Sequence, residues 1–200
     1  MLAITAPRLL LCYFIVCVAV TFLWPTVRLW RRERINALVL PRDDSAHGLV
    51  ASWFRGVVLA TLLLLVALSV GVPLAAVGPL RWLQAEAIGV VGWGLLGVSL
   101  AWIVVAQAQM GRSWRIGIDG ATRPPLVQTG LFGRSRNPIF LGMRLNLAGL
   151  FLVLPNAATL ALLLLGEAMM QLQVRLEEAH LSATFGADYD AYRRKVPRWL

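Results

Sequence analysis

Three stretches of this chain are too long and too free of charge to belong to a water-soluble fold. Residues 9–27 run nineteen positions without a charged side chain, and 56–80 and 87–111 run twenty-five each. A helix needs about 20 residues to cross the hydrocarbon core of a bilayer. A fourth uncharged stretch, 145–166, is interrupted by Pro155-Asn156, and that pair marks a turn. The pattern therefore predicts two further helices, 137–154 and 157–175. The expected fold is all-α: a polytopic membrane protein with five transmembrane helices, the last two forming a helical hairpin, followed by a cytoplasmic C-terminal helical segment. Composition agrees, since 58% of the 200 residues are hydrophobic and only 14% charged, whereas about a quarter of a soluble domain is charged.

The net charge of +9 suggests nucleic acid until the basic residues are placed. Arg28, Arg31, Arg32, Arg34, Arg42 and Arg55 flank the first connection. Arg112, Arg115, Arg123, Arg134 and Arg136 fill the third, and Arg175, Arg193, Arg194, Lys195 and Arg198 lie in the tail. Sixteen of the nineteen basic residues thus fall on one side of a five-span arrangement, Arg8 and Arg81 on the other, and Arg144 within a span. Positive charge marks the cytoplasmic side, so the amino terminus is expected outside and the carboxyl terminus inside, in a bacterial-type inner membrane. Membrane lipids with anionic headgroups are the expected partners of this basic face, and no nucleic-acid module accompanies it. The charges that follow the first span, rather than precede it, identify it as a retained span and not a cleaved signal peptide. Cys12 and Cys17 lie about 140° apart around one helix and read as apolar residues. His47 and His180 have no ligand spacing, and no metal is expected.

The connections differ in character. Residues 30–51 read as a basic interfacial segment and 78–86 as a short outer loop. Residues 112–136 are dense in glycine and proline, as in a binding loop. In the third span Gly92, Gly94 and Gly97 match a dinucleotide fingerprint on paper, but they sit mid-helix without a preceding strand, and the expectation is close helix packing. Arg144 lies eleven residues before Pro155 and Glu167 eleven after Asn156. In a hairpin the two come level, about 17 Å from the turn, and an unpaired charge there is costly. They are expected to pair or share a polar cavity with Asn146 nearby, either as a structural lock or facing a substrate. Of the adjacent carboxylates Glu177 and Glu178, one should face a cavity and the other Arg175 or solvent. Pro138 suits the first turn of a helix whose free N–H groups favour anions. Tyr189 and Tyr192, three apart, share a face of a short amphipathic helix and could cap the same pocket.

Taken in order, Leu126, Val127, Thr129 and Gly130, then Arg136, Pro138 and Gly142, then Glu177-Glu178, and finally Phe185, Gly186, Tyr189, Tyr192, Val196 and Pro197 resemble the isoprenylcysteine carboxyl methyltransferase family over about 112–200. Asn137 stands where that family has histidine, and Phe140 where it has tyrosine. The resemblance implies an S-adenosylmethionine-dependent methyltransferase. Region 112–200 would bind the cofactor, and 1–111 would supply three spans. Its implied cofactor contacts are Val127, Thr129, Gly130, Leu131, Arg136, Asn137, Pro138, Phe140, Glu177, Glu178, Tyr189 and Tyr192. The acceptor would be lipophilic, an isoprenylcysteine carboxylate or another small or lipid O- or S-nucleophile entering from the inner leaflet. Arg144 would hold an anionic acceptor and Glu167 orient it. Two other classes compete: a nicotinamide-dependent membrane reductase of related architecture, and a non-catalytic membrane scaffold.

Overall fold

The computed structural model describes residues 2–34, 43–114 and 125–200; the centres of the expected basic segment and of the expected binding loop lie outside them. Every regular element among the described residues is helical. Helix α1 (Leu2–Val18) runs through a wide turn, Ala19–Leu23, into α2 (Trp24–Glu33). Then come α3 (Ala46–Ser69), α4 (Glu86–Met110), α5 (Pro138–Val153), α6 (Ala157–Phe185) and α7 (Ala187–Lys195). Four stretches are long and apolar enough to cross a membrane: Thr5–Arg32, α3, α4 and α6. Helix α5 is equally apolar but has only 16 residues, about 24 Å of rise.

The wide turn has a cause in the sequence. Pro25 has no N–H to give the carbonyl four residues back, that of Thr21, and its ring crowds that oxygen. The backbone opens into a π-turn, and Gln107 Nε2 of α4 donates to the Thr21 carbonyl at 2.8 Å. A defect within one helix thus becomes a fastening between two.

Helix α3 starts earlier than the charge pattern predicts, at Ala46 instead of 56, and carries Arg55 within it. The reason is a cap: Ser45 Oγ accepts from the Gly48 N–H at 3.1 Å, and capping, more than charge, decides where a helix begins. It stops short of 80 because Gly71 turns the chain with φ of +105°.

Helices α4 and α5 pack closest of all. A Cβ on Gly92 would lie 2.8 Å from the Val153 nitrogen, and one on Gly149 3.0 Å from the Gly92 carbonyl oxygen, so only two bare backbones can meet there. Gly94 and Gly97 face open space. The expected glycine packing therefore holds at Gly92 alone of the three.

Between α5 and α6 the chain reverses at Pro155-Asn156. Asn156 Oδ1 accepts from the Thr159 N–H at 3.0 Å, and Thr159 Oγ1 accepts in return from the Asn156 N–H at 3.3 Å, which closes a reciprocal cap on α6. The reversal is stitched to the loop between α3 and α4. Leu80 N–H donates to the Pro155 carbonyl at 3.0 Å, and Ala157 N–H to that of Gly78 at 2.9 Å. Helix α1 packs on α3, α3 on α6, α6 on α5, α5 on α4, and α4 on the π-turn after α1. The ring encloses a cavity.

Candidate functional site

The start of α5 gathers the densest polar contacts. Asn137 precedes Pro138 and would ordinarily cap the helix, yet its side chain makes no capping bond. Instead Nδ2 donates to Glu178 Oε1 at 3.1 Å and to the Arg198 carbonyl at 3.2 Å. The Arg136 guanidinium donates to the same Glu178 oxygen, at 3.1 Å from Nη2 and 3.3 Å from Nε. From the tail, Arg198 Nη2 donates to Glu178 Oε2 at 2.7 Å, and this bonding raises the Arg198 pKa further. Glu178 thus sits between two guanidiniums and an amide, with 13% of its side chain exposed. Arg136 Nη1 also donates to the Val196 carbonyl at 2.8 Å, so the last residues of the chain are strapped across the head of α5.

Helix α7 is held against this cluster by its two tyrosines. Tyr192 donates its hydroxyl to the Phe132 carbonyl at 2.7 Å. Tyr189, 1% exposed, meets Tyr192 edge-on with ring centroids 6.0 Å apart. Burial pushes both phenols up to about 12, and the Glu178 carboxylate adds to the effect. The Tyr189 hydroxyl is buried with no hydrogen-bond partner among the described residues. Before α5, Gly130 takes φ of +64°, and a Cβ there would stand 2.5 Å from Gln109 Oε1. That same oxygen accepts from the Leu131 N–H at 2.7 Å. Val127 is half-buried, and Thr129 is exposed.

The cavity, about 200 Å³, is walled almost wholly by carbon. Glu177, Gln173 and His47 line one end; Tyr13, Cys17 and Asn146 line its middle; Leu10, Leu65 and Leu150 line the other end. Phe140 is part of the wall, packed on the cluster of Val50, Met169 and Met170. The two adjacent carboxylates diverge as helical neighbours must: Glu177 faces the cavity, while Glu178 faces Arg136 and Arg198. Neither Arg175 nor solvent, the two expected surroundings of the second carboxylate, takes that place; Arg175 donates to the Gln171 carbonyl at 2.8 Å. Among the described residues, no three of His, Cys, Asp and Glu come together as a metal-ligand group.

Arg144 and Glu167 do meet, with Nε donating to Oε2 at 2.6 Å. The pair lies outside the cavity wall, and the Trp199 ring stacks on the Arg144 guanidinium at 4.3 Å. Asn146, expected beside them, is not there. Two residues further along α5 it points about 200° away, and its amide bonds Tyr13 and Ser99.

Sequence reasoning missed Arg198, Trp199, Tyr13 and Gln107. Arg198 was counted only as topological charge. Gln107 had a readable signal, because Pro25 strands a carbonyl that some polar side chain must meet. The contacts that bring Tyr13 and Trp199 to α5 join residues far apart in the sequence and leave no local trace.

A family model described as phospholipid methyltransferase matches residues 87–188. The chain is also 29% identical over 120 residues to the nickel-cobalt-cadmium resistance protein NccN of Alcaligenes xylosoxydans xylosoxydans, an alignment covering 60% of this chain. The chain spans about half the length of that relative, 52%. The matched stretch holds α4, α5, α6, both glutamates, Arg136 and Asn137.

Proposed function

Because the chain belongs to the phospholipid methyltransferase family, we propose that this membrane methyltransferase uses S-adenosylmethionine and methylates a lipophilic acceptor that enters from the inner leaflet. The observation that carries the reading is the pairing of an apolar cavity with a charged cluster at its head, where the matched stretch supplies Arg136, Asn137, Glu177 and Glu178. The residues fit the donor. Glu177 can accept from ribose hydroxyls or an ammonium group, Arg136 and Arg198 can meet a carboxylate, and the orphaned Tyr189 hydroxyl sits beside them. Val127, Thr129, Gly130, Leu131, Asn137, Pro138, Phe140, Glu178 and Tyr192 complete the assignment, some by contact and others by holding the loop and α7. Region 112–200 supplies these groups, and 1–111 supplies most of the acceptor's wall.

S-adenosylmethionine, when bound, supplies a methyl group already activated on a sulfonium. The protein's part is then alignment and exclusion of water. The wall of the cavity orients the acceptor, Phe140 closes it beneath the head of α5, and the tail strapped by Arg136 keeps solvent off. We assign Arg144 and Glu167 a positioning role, tying α5, α6 and the tail together through Trp199. The proposed topology has five crossings, α5 and α6 forming a hairpin, with the amino terminus outside and the cofactor site in the cytoplasm of a bacterial-type inner membrane.

Thermal unfolding of the purified protein tests the cofactor. Stabilisation by a bound ligand grows with its concentration over its dissociation constant. S-adenosylhomocysteine should raise the midpoint in a concentration-dependent way and NADPH should not. A shift with NADPH alone would replace this reading with the reductase one, and no shift with either would favour a scaffold.

A further inference from the structure

A greasy cavity says little about its occupant except where polar atoms interrupt the wall. At mid-depth the Tyr13 hydroxyl donates to the Leu96 carbonyl at 2.9 Å, and the Ser99 hydroxyl donates to the same carbonyl at 2.9 Å. With both protons committed, the two hydroxyl oxygens can only accept. Asn146 Nδ2 supplies them, donating to Ser99 at 3.0 Å and to Tyr13 in a short contact. The network thereby fixes which way the amide points. It leaves Oδ1 as an acceptor, on a side chain that lines the cavity, with no donor among the described residues.

The rest of the wall sharpens the chemistry. Thr21 and Thr61 spend their hydroxyl protons on their own helices, and Gln107 spends an amide proton on Thr21. No arginine or lysine among the described residues lines the cavity. An anion would find no counter-charge here, and a cation at mid-depth would be costly. An uncharged donor meets what the wall offers. Asn146 lies nine residues before Pro155, and Glu177 lies twenty-one after Asn156, so the two stand about 18 Å apart along the hairpin. The donor must therefore lie within the ligand's apolar body and not at its headgroup.

We propose that Asn146, oriented by Tyr13 and Ser99, is a recognition site for a hydroxyl carried inside the apolar body of the cavity's ligand. The substrate class is an uncharged, hydroxylated lipophile. The proposal rests on the reading of the cavity as the acceptor site.

Three probes decide it: a long-chain alcohol bearing a mid-chain hydroxyl, the same chain with a mid-chain ketone, and the plain chain. Each displaces a fluorescent fatty probe from the full-length protein in detergent. One good hydrogen bond should make the hydroxylated probe about three- to tenfold tighter than the other two. The ketone can accept but not donate and should gain nothing. In Asn146→Leu the three probes should bind alike, whereas Tyr13→Phe keeps Oδ1 and should keep the preference. Equal binding of all three by the wild type overturns the proposal, as does a preference that survives Asn146→Leu. The wild-type comparison stands alone where the leucine variant does not fold. S-adenosylhomocysteine binding is followed in the same preparation. Its absence beside an intact hydroxyl preference strikes the methyltransferase reading and leaves the Asn146 site standing.

Discussion

Glu177 and Glu178 are chemically identical neighbours, yet their surroundings separate them. Glu178 accepts from Arg136, Asn137 and Arg198, so removing its charge leaves two guanidiniums facing one another. Breaking a largely buried ion pair from one side costs roughly 3 kcal/mol or more. Glu178→Ala should lower the unfolding free energy by that order, with the tail released from the head of α5. Glu177 makes no ion pair among the described residues, so Glu177→Gln should cost far less stability than the loss of Glu178. It should nonetheless weaken S-adenosylhomocysteine binding severalfold. Thermal unfolding with and without that ligand measures both effects. Equal loss of stability in the two variants would mean that the division of labour between the carboxylates is wrong.

At the scale of elements, the fastening of α1 to α4 makes a sharper test than any single contact, because its cause and its remedy lie on different helices. The Thr21 carbonyl needs Gln107 only because Pro25 gives it no N–H. Gln107→Leu should therefore cost about 1–3 kcal/mol, the penalty of a buried unmet carbonyl. Pro25→Ala restores the intrahelical donor, and in that background Gln107→Leu should cost little. A double-mutant cycle in denaturant isolates the coupling, and additive losses would refute this account of the π-turn. The same contrast explains what the sequence disclosed. Uncharged runs located the helices, and Arg136, Glu178 and Tyr192 were legible because they sit in closely spaced polar motifs. The start of α3 was misplaced because the Ser45 cap set it, whereas the start of α6, capped by Asn156, was read correctly. Asn146 was assigned to the wrong neighbours because register along a hairpin fixes depth but not which way a side chain turns.

For the whole molecule the number of crossings turns on α5. Its 16 residues fall short of the roughly 30 Å hydrocarbon core, which by itself would favour a re-entrant segment and four crossings. The stitching of Pro155 to Leu80 and of Gly78 to Ala157 argues otherwise. It puts the end of α5 beside the loop between α3 and α4, the face opposite the start of α5 and the basic tail. Extended residues at the turn cover the missing length at little cost, since their backbone groups are met within the protein and not by lipid. Gln84 and Asp188 are both exposed, and α4, α5 and α6 lie between them. Three crossings put the two on opposite sides of the membrane, and two crossings would put them together. On a background of Cys12→Ala and Cys17→Ala, Gln84→Cys should react with an impermeant maleimide from outside the cell. Asp188→Cys should react only after the membrane is opened. Labelling of both from one side would reduce α5 to a re-entrant helix, and reversed labelling would invert the orientation proposed from the clustering of sixteen basic residues on one face.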